Sequence, residues 1–456
     1  MSGQQELMRT PGWLEADVRR ALGVAGSGEG MRFSEISTDT RSIQPGALFV
    51  ALAGERFDGH DYLAAAAAAG AAGAVVRRGT PPVPGLRLFE VGDTLRAYGD
   101  LATARRRTLR GPVVAVTGNN GKTTTKEMVA AILRTRYRCH ATRANNNNLV
   151  GVPLTILEAP ADTEALVIEA GANVPGELPR YREIIEPDIT VATNATAGHL
   201  EGYGSLQAIV EDTVALTAGV SIAIVGMEPP ELALGARQVA RRTITVGWTG
   251  ADRTPLDVSL DALARPLLRL GGRRVHLPLP GRHQALNAVF AWTVGETIGA
   301  DPAKAVAALE QVTVPGGRSE LRQENGLTIL NDCYNANPHS FYAAIATARE
   351  LRKGRRLVFV AGTMRELGED APRLHAEIAE ALVALEPDVL AMVGDFVPAV
   401  APYAERLGDR LVTAPDAPSV APLVAERLRG DEVVVLKASR GVALERILPR
   451  LLTRAP

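Results

Sequence analysis

The chain reads as an α/β protein of three domains, built from parallel sheets flanked by helices. Short β-rich apolar runs alternate with longer Ala/Leu-rich helical stretches through most of the sequence, the pattern of strands joined by crossover helices. The length of 456 residues, at roughly 150 residues per domain, suggests about three domains. Breaks at Gly111-Pro112 and at Val314-Pro315-Gly316-Gly317 divide the chain into residues 1–110, 111–315 and 316–456.

In the first block, residues 63–76 (LAAAAAAGAAGAVV) form the longest uncharged apolar run, stopped by Arg77 and Arg78. A bilayer needs about 20 such residues, so the run predicts an Ala-rich helix entering a strand and no membrane insertion. Residues 94–107 predict a helix whose Arg105-Arg106-Arg107 end is a solvated terminus. Beyond it, the strands expected are 113–117, 166–169, 189–193, 222–225, 327–330, 357–361, 389–393 and 433–437, with a helix at 302–311 before the second break.

Composition narrows the function classes. Hydrophobic residues make up 46% and charged residues 22%, the balance of an ordinary globular protein. Fifty Lys+Arg against 51 Asp+Glu leave a net charge of -1, which gives no electrostatic footprint for nucleic acid or an anionic membrane. The two cysteines, Cys139 and Cys333, argue against a disulfide framework and fit a reducing compartment. The opening MSGQQELMRT lacks the basic-then-apolar layout of a signal peptide, so a cytoplasmic protein is expected. Arginine supplies nearly all the positive charge, and the only lysines are Lys122, Lys126, Lys304, Lys353 and Lys437. A lysine kept inside a motif is therefore informative.

One such motif stands in residues 113–133, VVAVTGNNGKTTTKEMVAAIL. A β-branched strand runs into Gly118, Asn119, Asn120 and Gly121, then Lys122, Thr123 and Thr124 open a helical stretch. Glycines let backbone N–H groups curl toward a phosphate, and the helix start adds the positive end of its dipole. Lysine serves the β/γ-phosphates and a hydroxyl serves Mg²⁺. The strict GxxxxGK[ST] form is not met, because Val116 replaces its first glycine, which leaves the shorter TGxxGKT. A plain strand–turn–helix connection would not need GKT at the helix start, and the segment predicts a nucleoside triphosphate site.

That shortened loop, the chain length and the three α/β blocks resemble the Mur ligase superfamily. Its members join an amino acid or peptide to a carboxylate through an acyl phosphate, using ATP and Mg²⁺. Further segments carry the resemblance. STDTRSIQPG places Ser37, Thr40 and Arg41, with Phe57-Asp58-Gly59-His60 beyond, where the family holds the UDP-sugar end of its substrate. NNNNLVGVPLTIL supplies Asn147, and LVIEAGAN ends a strand with Glu169, the family's metal carboxylate. GHLEGYGS supplies His199, a second metal ligand beside Thr123 and Glu169, with Glu201 nearby. GRHQALNA places His283 and Asn287 near the adenine, four residues apart on one helix face. PGGRSE gives Arg318 and LNDCYNANPHS gives Asp332, Tyr334, Asn335 and Asn337; the arginine and aspartate reach ATP when the domains close. VVVLKASRG supplies Lys437, Ser439 and Arg440 for the incoming peptide or for charge at the reaction centre.

YNANP points within the superfamily to the branch that adds D-alanyl-D-alanine to UDP-MurNAc-tripeptide. The resemblance then implies small-molecule substrates, an N-terminal UDP-substrate-binding domain, a central P-loop ATPase domain, a C-terminal Rossmann-like domain and a monomer. Lys122, Glu169, His199, Arg318 and Lys437 would carry catalysis. The chain also departs from the family. Thr213 stands where a carbamoylated lysine holds a second Mg²⁺, and Glu211 or Asp212 is the available carboxylate nearby. Asn146, Leu149, the segment AIVGMEPP and Thr363 differ from the usual residues as well. A paralogous ligase with another amine or acceptor, and a nucleotide-binding protein that has lost ligation, remain the competing readings.

Overall fold

The computed structural model describes residues 12–26, 30–54, 57–196, 198 and 200–453. Three sheets organise it. The first is a parallel four-stranded sheet of Ile36–Ser37 (β1), Leu48–Val50 (β2), Gly73–Arg77 (β3) and Arg87–Val91 (β4), in that spatial order. Leu63–Ala68 (α1) precedes β3, so the Ala-rich run is the helix entering a strand that its composition predicts. Among the described residues no helix is long and apolar enough to cross a membrane. Thr94–Arg106 (α2) follows β4, its first turn capped by the Asp93 carboxylate.

The central sheet has six parallel strands: Val113–Thr117 (β5), Cys139–Ala141 (β6), Ala165–Glu169 (β7), Ile189–Ala192 (β8), Ile222–Gly226 (β9) and Thr243–Val246 (β10). Their order is β6-β7-β5-β8-β9-β10, so the chain leaves β5 toward one side and returns to its other side. In such sheets ligands bind outside the carboxyl ends of the strands at that switch point. Register places Glu169 beside Val116 and Ala192 beside Thr117, so the loops after β5, β7 and β8 converge. Lys122–Arg134 (α3) leaves the β5 loop, and Glu177–Ile185 (α4) and Leu206–Leu216 (α5) flank the sheet. A small antiparallel sheet follows, Leu256–Leu260 (β11), Pro266–Leu270 (β12) and Arg273–His276 (β13), and leads into Gln284–Thr297 (α6).

The third sheet contains Glu320–Glu324 (β14), Leu327–Asp332 (β15), Leu357–Gly362 (β16), Val389–Val393 (β17), Leu411–Ala414 (β18) and Val433–Lys437 (β19), in the order β14-β15-β19-β16-β17-β18. Only β14 runs antiparallel to its neighbour. Pro338–Arg352 (α7) follows β15. The pairing of Asn331 and Asp332 with Leu436 and Lys437 prolongs β15 two residues past its apolar run. The α/β architecture of parallel sheets in three domains is as expected.

The arginine run at the end of α2 is not a solvated terminus. Arg105 and Arg106 are 5% and 9% exposed. Arg105 Nη2 donates to the carbonyls of Ala159 (3.0 Å) and Pro160 (3.1 Å). Arg106 donates to the Ile185 (2.9 Å) and Glu186 (2.8 Å) carbonyls and to Asp188 Oδ2 (3.2 Å). Those carbonyls close α4, where the last peptide oxygens have no partner within the helix. Asp188 in turn accepts from Val113 N at 2.9 Å, tying the first domain to the start of β5. Only Arg107 is exposed, paired with Glu186 at 2.6 Å. A triple-arginine run looks like a solvated helix end because its partners are distant carbonyls, which carry no sequence signature.

The clamp predicts a contrast. Arg106→Ala removes the side-chain donor from the Ile185 and Glu186 carbonyls, and should lower the unfolding free energy by roughly 2–4 kcal/mol in urea titration. Arg107→Ala should change it by less than about 0.5 kcal/mol. Equal effects of the two substitutions would contradict the clamp.

Candidate active site

A cleft of about 790 Å³ lies between the central and C-terminal domains, at the carboxyl ends of β5 and β7. Its floor is the loop from Gly118 to Gly121. Gly118 has φ of 123°, and a Cβ there would lie 2.2 Å from Thr193 Oγ1 and 2.8 Å from the Asn194 carbonyl. Gly121, with φ of 79°, turns the chain into α3. Both positions demand glycine.

The loop is braced by the segment after β8, which sequence reasoning missed. Thr193 Oγ1 donates to the Asn120 carbonyl at 2.6 Å, and Asn194 Nδ2 donates to it at 3.1 Å. Asn120 N donates to Asn194 Oδ1 at 3.0 Å, and Thr196 N donates to Asn119 Oδ1 at 2.9 Å. The available signal was topological: β8 is the neighbour of β5 on the far side of the switch point. Lys122 folds back over this loop, its Nζ 3.3 Å from the Asn119 carbonyl. Burial lowers its pKa, Glu169 opposes that, and the Arg318 cation adds to it.

Glu169 ends β7 and is 2% exposed. Its Oε1 accepts from Thr123 Oγ1 (3.0 Å) and from Asn147 Nδ2 (2.9 Å). Its Oε2 is buried with no hydrogen-bond partner. A bare carboxylate oxygen beside a phosphate-loop hydroxyl suits a hard divalent cation. Among the described residues no three His, Cys, Asp or Glu side chains converge. Thr124, His283 and Asn287 also line the cleft. Asn287 Oδ1 accepts from Thr125 Oγ1 at 3.3 Å and would lie 2.6 Å from a Cβ on Gly121, so α6 presses on the loop. Burial pushes the His283 imidazole down to about 4 against the opposing charge of Asp332, which keeps it neutral near pH 7.

The opposite wall belongs to the C-terminal domain. The Arg318 guanidinium lies 3.3 Å over the Tyr334 ring. Asp332 accepts from Ser319 N at 2.8 Å and pairs with Lys437 Nζ at 2.7 Å, fixing the backbone next to Arg318. Lys437 also donates to the Asn335 carbonyl at 2.8 Å. Asn337 reaches across the cleft, its Nδ2 2.9 Å from Asn120 Oδ1.

Other expected residues stand elsewhere. Ser37, Thr40 and Arg41 lie in the first domain, outside the lining of this cleft. There Ser37 Oγ accepts from Asp39 N at 3.2 Å, and Arg41 grips the Asp39 carboxylate, holding its pKa at about 2. His60 accepts from Arg77 N through Nε2 at 2.9 Å and contacts Asp58 through Nδ1 at 2.6 Å, which fixes its tautomer. His199 lies outside the described residues. Ser439 is 3% exposed and lies outside the lining of the cleft: its Oγ accepts from Arg365 N at 2.9 Å and donates to the Ala336 carbonyl. Arg440 is exposed, 3.2 Å from Glu445 and 5.7 Å from the Tyr334 ring.

The proposed substitutes for the carbamoylated lysine are also corrected. Glu211 is exposed and accepts from Gln207 at 2.8 Å. Asp212 is buried, accepting from Gly176 N (2.8 Å) and the Tyr203 hydroxyl (2.7 Å). Thr213 donates within α5 to the Ile209 carbonyl at 2.7 Å. None of the three lines the cleft. Each is engaged by partners outside that lining: Gln207, Gly176 and Tyr203, and the Ile209 carbonyl.

Comparison with known proteins adds to this geometry. Residues 32–102 match the description Mur ligase family, catalytic domain; residues 116–295 match Mur ligase middle domain; residues 317–440 match Mur ligase, glutamate ligase domain. A UDP-N-acetylmuramoyl-tripeptide–D-alanyl-D-alanine ligase of Bacillus subtilis (strain 168) is 34% identical over 429 residues, covering 91% of this chain and 93% of the relative. The enzyme of that name from Escherichia coli (strain K12) is 33% identical over 436 residues, covering 93% and 95%. The crystal structure of MurF from Acinetobacter baumannii matches with a TM-score of 0.88 at 27% identity, covering 98% of this chain and 100% of that one. MurF ligase from Thermotoga maritima, in complex with ADP, matches with a TM-score of 0.81 at 28% identity, covering 92% and 97%.

The half-buried His283 imidazole gives a pH test. The unfolded chain takes up a proton near pH 6.5 that folded His283 refuses until about 4, so stability is withdrawn as pH falls through that window. His283→Gln cannot titrate, and its loss of stability across the same window should be shallower than the parent's in urea unfolding. Parallel pH profiles would contradict the assignment.

Proposed function

The chain belongs to the Mur ligase family, and from that premise we propose that it adds D-alanyl-D-alanine to UDP-MurNAc-tripeptide with conversion of ATP to ADP and phosphate. The carrying observation is one cleft with a phosphate loop, Lys122 and Glu169 on one wall and Arg318, Asp332 and Lys437 on the other. Relatives of that name cover more than nine-tenths of the chain, and a matching structure holds ADP. We assign residues 1–110 to the UDP-sugar peptide, 111–315 to ATP and 316–456 to the incoming dipeptide.

The chemistry needs two anions to meet, a carboxylate and a polyphosphate, so charge neutralisation dominates it. The backbone from Gly118 to Gly121 and the start of α3 cradle the phosphates, with Asn119, Asn120 and Thr124 shaping the loop. Lys122 follows charge onto the transferred group. Mg²⁺, bound by Thr123 and Glu169 together with phosphate oxygens, would supply further positive charge there. The tripeptide's terminal carboxylate oxygen forms a bond to the γ-phosphorus as the bond to ADP breaks. The dipeptide amine then attacks the resulting acyl carbon, a C–N bond forms, and phosphate leaves. Arg318, held flat by Tyr334, faces the transferred phosphoryl group. Lys437 holds Asp332 and the Asn335 backbone in place. His283 and Asn287 border the nucleotide, and Ser37, Thr40 and Arg41 serve the UDP end. Such a reaction places the protein in the cytoplasm, where ATP and nucleotide-linked precursors occur, and a monomer supplies every residue named.

Purified protein given ATP, Mg²⁺, UDP-MurNAc-tripeptide and D-alanyl-D-alanine should release ADP and phosphate only when both acceptors are present, with a pentapeptide product by mass. Nucleotide binding without product would overturn the proposal. Lys122→Ala should reduce turnover by about 10²–10³-fold; turnover near the parent's would refute the phosphate-loop assignment. Since Thr213 replaces the modifiable lysine, removing dissolved CO₂ should leave turnover unchanged, and CO₂ dependence would mean that another group carries the carbamate.

A further inference from the structure

Asn337 has a geometry that binding a substrate does not explain. It is the N-cap of α7 and forms a capping box with Ser340. Its Oδ1 accepts from Ser340 N at 2.9 Å, while its own N–H donates to Ser340 Oγ at 3.0 Å. The cap therefore fixes the amide's orientation: exchanging Oδ1 and Nδ2 would set a donor against a donor. Nδ2 is forced outward, where it donates to Asn120 Oδ1 at 2.9 Å, 217 residues away in the chain. Asn337 is only 6% exposed, and Asn120 is half-buried at the cleft.

Asn120 meets the cap with its side chain. Its Nδ2 donates to Thr196 Oγ1 at 3.0 Å, and its Oδ1 faces Asn337. Its backbone N–H and carbonyl are already held by Asn194 and Thr193. Gly198 lets the three pieces meet, because a Cβ there would lie 3.1 Å from Asn119 Nδ2 and 3.4 Å from Asn337 Nδ2. The same segment is touched again from the C-terminal domain, where Glu201 N donates to the Glu366 carbonyl at 3.3 Å.

We propose that Asn337 is a positioning residue that acts through Asn120: it transmits the seating of the C-terminal domain to the phosphate loop. The loop then reaches its working shape only when Arg318 and Lys437 have arrived on the same domain. The inference rests on the ligase reading and adds to it a residue whose role is to couple domain seating to transfer. Phosphoryl transfer is thereby withheld until the cleft is closed and water is excluded.

The test separates latch from cap. Asn337→Ser keeps a strong N-cap but is too short to reach Asn120 Oδ1, so the fold stays and the latch goes. The expected result is a melting temperature and KM for ATP close to the parent's, with kcat for pentapeptide lowered on the order of tenfold. More ADP should also be released per amide formed, as the unlatched site admits water. In an Asn120→Ala background, Asn337→Ser should have little further effect on kcat, because the residue through which it acts is gone. Parental kcat in Asn337→Ser, or a full additional loss in the Asn120→Ala background, would overturn the proposal. A parent protein that makes no pentapeptide at all would instead count against the ligase reading.

Discussion

Bringing a carboxylate against a polyphosphate sets like charges together in a partly buried cleft, and the arrangement of this protein follows from that constraint. The cations that answer it cannot all sit side by side: burial already lowers the pKa of Lys122, and the Arg318 cation adds to that against the opposing charge of Glu169. They are therefore split between two domains and separately managed. Lys122 lies in the field of Glu169, and Lys437 is paired with Asp332. Arg318 is held by the Tyr334 ring face, which leaves the edges of its guanidinium available to a phosphoryl group.

The central sheet makes this division workable. Because β5 sits between β7 and β8, a metal-suited carboxylate and the brace of the phosphate loop arrive from opposite sides of one strand. Glycine at 118 and 121 is required by contact with Thr193, Asn194 and Asn287, so the loop is shaped by its neighbours as much as by its own residues. The first domain is joined to that sheet by Arg105, which satisfies the carbonyls of Ala159 and Pro160, and by Arg106, which satisfies carbonyls at the end of α4. A rigid joint there, and a polar contact through Asn337 on the other side, give the two outer domains different kinds of attachment.

Much of this was legible in the sequence, for identifiable reasons. The strands of the parallel sheets are uninterrupted β-branched runs because helices bury both faces, and the stretches 113–117, 389–393 and 433–437 match the observed strands to the residue. The phosphate loop and Glu169 were legible because a charged or glycine residue at a strand's end has little structural reason to be there, and Arg318 was legible only through the family resemblance of PGGRSE. What stayed hidden depends on distant partners. Thr193 and Asn194 look like ordinary turn residues until β8 is placed beside β5. The burial of Arg105 and Arg106, and of Ser439, turns on carbonyls and backbone N–H groups contributed by other segments. The carboxylates beside Thr213 could not be oriented from spacing, since adjacent helix positions point about 100° apart.

The central claim is that a carboxylate oxygen of the acceptor attacks the γ-phosphorus before any amide forms. It is tested most directly by labelling that terminal carboxylate of UDP-MurNAc-tripeptide with a heavy oxygen isotope and weighing the phosphate released during turnover with ATP and D-alanyl-D-alanine. The account predicts that one labelled oxygen passes from the carboxylate to each phosphate. Unlabelled phosphate, with amide formed, would contradict it, because the carboxylate would then have been activated without ever bonding to phosphorus.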